Sequence, residues 1–417
     1  MRRTGHLSAR EAAEALGVSR ATLYAYVSRG LIRSERGEGS RERRYRAEDI
    51  WMLLRRKEGR RDPARAAEQS LFWGAPVLPS ELTLIEDGRL YYRGHPVEAL
   101  ASSTTFEDVA ALLWGAPDLS LPDVAPVLPP TWPTLRDLAR GLPPLEAFQL
   151  VLSAVSAHDP AGFDLSAEGV RRTGVRILRL LAAVAGEVEP GRRPVAEVLQ
   201  RRWCPRHGDA RPLLEAVLVL LADHELNVST FTARCVASAH ASPYAAVVAG
   251  LSALRGVRHG AASEQVLALF DEVGRPSRAR GVIEARLRRG ERIPGFGHAV
   301  YSGEDPRAVL LDRLLREARP GSSRLDLPAS IEQETRAVID QQPNVDFVLA
   351  ALSHVLGLPS GALITLFGVS RSVGWVAHAL EQYSERSLIR PRARYVGVPP
   401  NLREGRHPGT QGARRDP

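Results

Sequence analysis

The chain has 417 residues, 44% hydrophobic and 25% charged, with a formal net charge of +8. That length predicts roughly two or three domains with ample buried surface, and the composition is ordinary for a globular protein. The start, Met1–His6, leads into no apolar signal region, and no apolar run approaches a membrane span. Two cysteines, Cys204 and Cys235, form no disulfide framework and read as reduced thiols, so a cytoplasmic protein with no membrane partner is expected. Cys235 is expected in the core.

The charge is concentrated at one end. Residues 1–68 carry 17 basic and 10 acidic side chains, the remainder 39 and 38. Lys57 is the single lysine, so arginine is favoured throughout, yet such a bias does not explain why the excess is N-terminal. A basic module joined to a near-neutral body is implied.

Within that module Ser8 and Glu11 form a capping box for a helix that Gly17 stops, and Ser19 caps a second helix closed by Gly30. Helix, short turn, helix is a DNA-reading arrangement whose second helix enters the major groove. Arg33 to Arg46 suits a β-wing, with Arg41, Arg43, Arg44 and Arg46 placed for phosphates. Ala47 to Lys57 reads as a third helix with Ile50, Trp51, Leu53 and Leu54 inward, broken at Gly59–Pro63. The segment resembles the winged helix-turn-helix of the MerR and excisionase families. That resemblance makes Ser19, Arg20, Thr22, Tyr24, Arg43 and Arg44 the candidates for DNA contact through residues 1–60.

From Phe72 onward the pattern is almost wholly helical, and the expected fold class is all-α. Glu107 to Leu113, Leu145 to Ala157, Gly169 to Ala185, Leu213 to Leu221 and Tyr244 to Leu254 have helical length and apolar periodicity. Strand alternation occurs around Leu82–Ile85 and Arg89–Tyr92, flanking the Asp87-Gly88 turn, which predicts one small hairpin. Pro117 to Pro133 and Gly186 to Pro194 read as surface connections, and residues 401–417 as a disordered tail.

Three short segments carry the chemistry: Arg258-His259-Gly260, Pro294-Gly295-Phe296-Gly297-His298 and Pro343-Asn344-Val345-Asp346. Each presents an ionisable side chain beside glycine or proline, as if from a turn into a cleft. A carboxylate and two imidazoles suit proton removal next to a carbonyl, with hydrogen bonds to the developing enolate.

These segments stand in register with Asp87–Gly94, His224–Phe231, Asp305-Pro306-Arg307, Phe367–Trp375 and Arg390-Pro391-Arg392. From about Leu82 to Gly397 the chain resembles the citrate synthases. The resemblance implies a large helical domain (69–260 and 367–400) and a small domain (261–366), following a helix-turn-helix domain at 1–68. It also implies a homodimer with shared active sites, no metal, and no tightly bound cofactor, acetyl-CoA entering as co-substrate. Asp346 is the implied base, His259 the donor to the thioester oxygen, and His298 the group acting on the keto oxygen of oxaloacetate. His224, Arg307 and Arg371 are the implied substrate-binding residues, with Arg390 reaching in from the other subunit.

His240, His354 and His378 are read as structural, Trp375 and Phe367 as packing. Two departures stand out. The family's Gly-Gly-Ala-Asn after the first histidine is Gly260-Ala261-Ala262-Ser263 here, preceded by Arg258, which is expected to lower the proton affinity of His259 or to change the fit of the thioester. Where family members often carry a basic residue, this chain has Glu304. Citrate formation is the leading reading. A propionyl-CoA-using 2-methylcitrate synthase, or a transcription factor with a synthase-like metabolite sensor, are the alternatives.

Overall fold

The structure is a computed structural model that describes residues 6–36, 43–47, 49–50, 53, 78–116, 121–260, 262–385, 387–393 and 395–398. Arg41, Trp51, Leu54, the break at Gly59–Pro63 and residues 401–417 lie outside them.

In the N-terminal module α1 (Ala9–Leu16) begins with the reciprocal Ser8/Glu11 capping box, and α2 (Arg20–Ser28) with the Ser19 hydroxyl accepting the Thr22 N–H. Strands β1 (His6–Leu7), β2 (Ser34–Arg36) and β3 (Arg43–Arg46) form an antiparallel sheet in the order β1-β3-β2, with β2 and β3 as the wing. Ala12, Leu16, Leu23, Ile32, Tyr45 and Ile50 make its separate small core. The Arg33 guanidinium and backbone N–H both donate to Asp49, tying the wing to the third helical segment.

The body opens with β4 (Thr83–Glu86) and β5 (Arg89–Tyr92), paired around the Asp87-Gly88 turn, and adds a short third strand, β6 (His95–Pro96), that sequence periodicity does not reveal. Helices follow: α3 (Val97–Ser103), α4 (Phe106–Leu113), α5 (Trp132–Arg140), α6 (Pro144–Ser156), α7 (Ala167–Gly186), α8 (Val195–Trp203) and α9 (Ala210–Leu221). Then come α10 (Val228–Ser238), α11 (Pro243–Leu254), α12 (Ala262–Val273), α13 (Ala279–Arg288), α14 (Pro306–Ala318), α15 (Asp326–Arg336), α16 (Val345–Leu356) and α17 (Ala362–Ser384). The body is therefore all-α apart from its small sheet. The five helices expected from periodicity are all present, with ends shifted by a few residues.

Helix α17 organises the core. It packs on α6, α7, α9, α10 and α11 and is buried along nearly its whole length. Among the described residues it is the single helix long and apolar enough to cross a bilayer, and its apolar surface is spent on protein neighbours. Gly374 is where α17 meets the end of α9: its N–H donates to the Ala222 carbonyl, and a Cβ there would lie 2.5 Å from that oxygen. Across the same junction Tyr92 Oη donates to backbone carbonyls of the 220–223 turn and accepts the Asp223 N–H, and Arg371 Nε donates to the Leu221 carbonyl. Strand β5 and helix α17 thus fix one turn from opposite sides.

Cys204 is buried at the end of α8. Cys235 is half-buried rather than core, because α10 turns that face outward. Glu215 on α9 accepts the Phe106 N–H at the start of α4, and burial raises its pKa to about 7.

Candidate active site

His224 sits in the turn fixed by Tyr92, Arg371 and Gly374. Beneath it the buried Asp223 carboxylate accepts from Thr83 Oγ1 at 2.5 Å and from the Glu225 N–H at 3.1 Å, with His378 Nε2 3.4 Å away. Glu225 adopts the left-handed region (φ 53°), a conformation held by that bond to Asp223. His224 Nε2 lies 3.0 Å from the Tyr301 hydroxyl, and its ring meets that of His298 edge to face at 5.4 Å.

His298 follows Gly295 and Gly297, both at positive φ. A Cβ on Gly295 would stand 2.9 Å from Phe347, so only glycine brings this turn against the start of α16. His298 Nδ1 accepts the N–H groups of Val300 (3.0 Å) and Tyr301 (3.4 Å), which places the neutral ring's proton on Nε2. That Nε2 faces Arg307 Nη2 at 3.4 Å. Arg307, in the first turn of α14, gives Nε and Nη2 to the buried Asp305, the cap of that helix. Asp305 also accepts the Val345 N–H, linking the starts of α14 and α16.

His259 Nε2 lies 2.8 Å from Ser229 Oγ, in the first turn of α10. The same hydroxyl accepts Trp375 Nε1–H and donates to Asn227 Oδ1, the cap of α10, at 2.8 Å. Asp346 occupies the first turn of α16, capped by Asn344, and its Oδ1 accepts from Ser263 Oγ at 2.5 Å.

Electrostatics joins these groups. Burial, then the cation of Arg371, lowers His259 to about 4; burial, then Arg307, lowers His298 to about 4. His224 is held well below the ordinary imidazole value by burial, with Arg307 and Arg371 adding to it. All three rings are therefore neutral hydrogen-bonding groups near pH 7. Burial raises Asp346, while the Ser263 bond and the cations of Arg307 and Arg371 pull the other way. Arg371 is buried, its guanidinium pKa lowered chiefly by desolvation, and beyond its Nε both terminal nitrogens have no protein acceptor among the described residues. Two buried cations with unused donors stand beside neutral imidazoles, a donor set whose chemistry suits a small dianion.

The structure thus brings His224, His259, His298, Arg307, Asp346 and Arg371 into one electrostatic neighbourhood. Arg390, expected to act from a second copy, lies in the exposed segment after α17. Arg258 is exposed, and the effect expected of it on His259 is exerted by burial and Arg371 instead. His378 is fully buried and His354 packs on Phe270, whereas His240 is exposed. Trp375 packs as expected but also donates to Ser229. Tyr301, Asp305, Ser229 and Asp223 are contributors that residue-type reasoning passed over. Asp305 was detectable as an acid two residues before an arginine at a helix start.

In the module Arg20, Tyr24, Arg43 and Arg44 are exposed, while the Ser19 and Thr22 hydroxyls bond each other at 3.0 Å. Arg46 departs from its expected phosphate-facing role and lies 3.9 Å from Asp87 of the body.

A profile described as citrate synthase, C-terminal domain, matches residues 71–392, and one described as a helix-turn-helix domain matches residues 7–57. A citrate synthase of Haloferax volcanii is 32% identical over 360 residues, covering 78% of this chain and 94% of that protein. A 2-methylcitrate synthase of Corynebacterium glutamicum is 29% identical over 350 residues, covering 75% and 90%. The crystal structure of citrate synthase from Thermotoga maritima matches with a TM-score of 0.67 and 30% identity, covering 79% of this chain and 96% of that one. A profile spanning most of the chain, relatives covered nearly end to end, and neutral imidazoles grouped with buried arginines lead to one assignment: this chain is an enzyme of the citrate synthase family carrying an N-terminal helix-turn-helix domain.

Proposed function

We propose that the enzyme condenses acetyl-CoA with oxaloacetate and water to give citrate and free CoA, with Asp346, His259 and His298 as its catalytic residues. The observation that carries this reading is a half-buried carboxylate of raised pKa grouped with two neutral imidazoles and two buried arginines. Arg307 and Arg371 hold the two carboxylates of oxaloacetate, His224 assists, and Arg390 of a second copy completes the site in a homodimer. Asp346 takes a proton from the thioester methyl, and the C–H electron pair moves onto the carbonyl oxygen. His259 meets that oxygen with Nδ1, which carries the ring proton once the Ser229 hydroxyl turns its hydrogen from Asn227 Oδ1 to His259 Nε2. The enol carbon attacks the keto carbon of oxaloacetate while His298 Nε2–H protonates its oxygen. Water then cleaves the citryl thioester and releases the thiol.

A neutral imidazole does this better than an imidazolium. Near pH 7 each ring carries a single proton, which in His298 sits on Nε2, and no proton must first be shed. The chemistry uses no bound cofactor, and acetyl-CoA enters and leaves with each turnover.

Propionyl-CoA is the competing acyl donor, since one methyl group changes discrimination by only about 1–3 kcal/mol. Steady-state thiol release with oxaloacetate and each acyl-CoA tests the reading, with acetyl-CoA expected to have the higher kcat/KM. Asp346→Asn and His259→Ala should each lower turnover by about a hundredfold or more. A folded dimer with no turnover on either thioester would favour a sensor instead.

For the module, DNA binding through α2 and the wing is the first reading, carried by the exposed Arg20, Tyr24, Arg43 and Arg44. A second reading, control of the cleft, is favoured by the Arg46–Asp87 pair and by a cavity of about 1020 Å³. That cavity runs from Arg33 and Arg46 to Ser302–Glu304, a stretch that follows His298 and precedes Arg307 along the chain.

A further inference from the structure

Helix α12 presents a stripe of Ser263, Val266, Phe270 and Val273, all buried, spaced three, four and three residues apart. That stripe packs on α16, where the Phe270 and Phe347 rings meet edge to face at 5.5 Å. The polar end of this apolar seam is one contact, the Ser263 hydroxyl donating to Asp346 Oδ1 at 2.5 Å. Ser263 is 1% exposed, so its hydroxyl has no water to turn to. Asp346 Oδ2 has no protein donor among the described residues. The two oxygens of one carboxylate are therefore in different states: one locked by a charge-assisted bond, the other open.

We propose that Ser263 is the positioning residue for the proton-abstracting step, locking Oδ1 of Asp346 so that Oδ2 alone receives the proton from the acyl-CoA. The inference rests on the reading of Asp346 as base. A carboxylate at the start of a helix rotates about its Cβ–Cγ bond unless something holds it. Asn344 caps the backbone of this turn but does not touch the carboxylate, and the remaining charges near it are Arg307 and Asp305 on α14 and Arg371 on α17. Glu264, next to Ser263, is half-buried and is not among the groups acting on Asp346. Ser263 is thus the sole direct hydrogen-bonding support of the carboxylate among the described residues. During the step the substrate C–H bond breaks, an O–H bond forms on Oδ2, and the electron pair passes to the thioester oxygen. Oδ1 becomes the carbonyl oxygen of a neutral acid and keeps the serine bond in weaker form. Because that bond favours the charged carboxylate, it also opposes the rise in basicity caused by burial.

The experiment compares Ser263→Ala, Ser263→Thr and Asp346→Asn with the unaltered full-length enzyme. The readouts are the pH profile of kcat/KM for the acyl-CoA that is turned over, and the deuterium isotope effect with that thioester labelled at its α-carbon. Ser263→Ala should lower kcat roughly tenfold, the scale of one hydrogen bond to a charged group. It should also enlarge the isotope effect and move the acidic limb to higher pH, since the donor that holds the carboxylate's proton affinity down is gone. Ser263→Thr, which keeps the hydroxyl, should restore the limb. Circular dichroism checks that each variant is folded. If Asp346→Asn is inactive while Ser263→Ala keeps the ordinary limb and isotope effect, the role given to Ser263 is overturned. If Asp346→Asn keeps turnover, the reading of Asp346 as base fails on its own account, and with it the inference.

Discussion

His298 Nε2 and Arg307 Nη2 face each other at 3.4 Å, and both are donors, because His298 Nδ1 already accepts two backbone N–H groups. Two donors aimed at one point call for an acceptor oxygen between them, which a keto acid supplies. The arrangement also explains the sign of the His298 shift: burial and then the neighbouring cation disfavour a second proton, holding the ring at about 4. Arg307→Gln should raise the oxaloacetate KM by about a hundredfold. With the cation removed, the His298 pKa rises, so the variant should show histidine titration at higher pH than the unaltered enzyme. Ring resonances of His298 followed by NMR across the pH range check it.

The close approach at Gly374 yields a second expectation. A methyl group there meets the Ala222 carbonyl and Asp223 Oδ1, each at 2.5 Å, in the turn that carries His224. Gly374→Ala should lower stability by about 1–3 kcal/mol. It should weaken oxaloacetate binding more than acyl-CoA binding, because the displaced turn bears His224. Denaturant melts and the two KM values measured side by side distinguish this from a general loss of fold.

Glu215 provides a pH test remote from the chemistry. Burial lifts its folded pKa to about 7 from an ordinary value of 4.5, so the native state holds a proton that the unfolded chain releases. Its contribution to stability is fully present below pH 4.5 and is lost as pH rises through 7. Glu215→Gln keeps an oxygen for the Phe106 N–H and removes the titration. Its Tm should therefore change less than that of the unaltered protein between pH 5 and pH 8.5, by scanning calorimetry at matched ionic strength.

For the N-terminal module, Arg43→Ala and Arg44→Ala should each weaken DNA binding at all sequences and reduce the slope of log Kd against log salt by about one. Arg46→Ala should leave that slope unchanged, since Arg46 lies against Asp87. Electrophoretic shifts of a set of duplexes over a salt series read all three. Removing residues 1–68 should leave kcat unchanged if the domain serves DNA, and alter the oxaloacetate KM if it controls the cleft.

The helical class, the capping box at Ser8, the hairpin around Gly88 and six of the site residues were legible in the sequence. Each rests on local rules: period, cap chemistry, turn residues, or short motifs in register. What escaped has non-local causes. Asp223 and Ser229 matter because α17 and β4 deliver Trp375, His378 and Thr83 to them from far along the chain. Arg46 read as one more wing cation, and only the body's Asp87 turn reassigns it. Likewise Arg258 stood next to His259 in sequence but points to solvent, while Arg371, more than a hundred residues away, is the charge that ring feels.

Helix α17 is at once the longest buried helix of the interior and the bearer of Arg371, Gly374 and Trp375. Evolutionary drift along it is therefore restrained by folding, whether or not any product is made. A descendant that abandoned turnover and kept only recognition of its ligand would retain that arginine for architectural reasons. Asp346 and His298, which make no hydrogen bond to α17 among the described residues, are the letters such a descendant would change first.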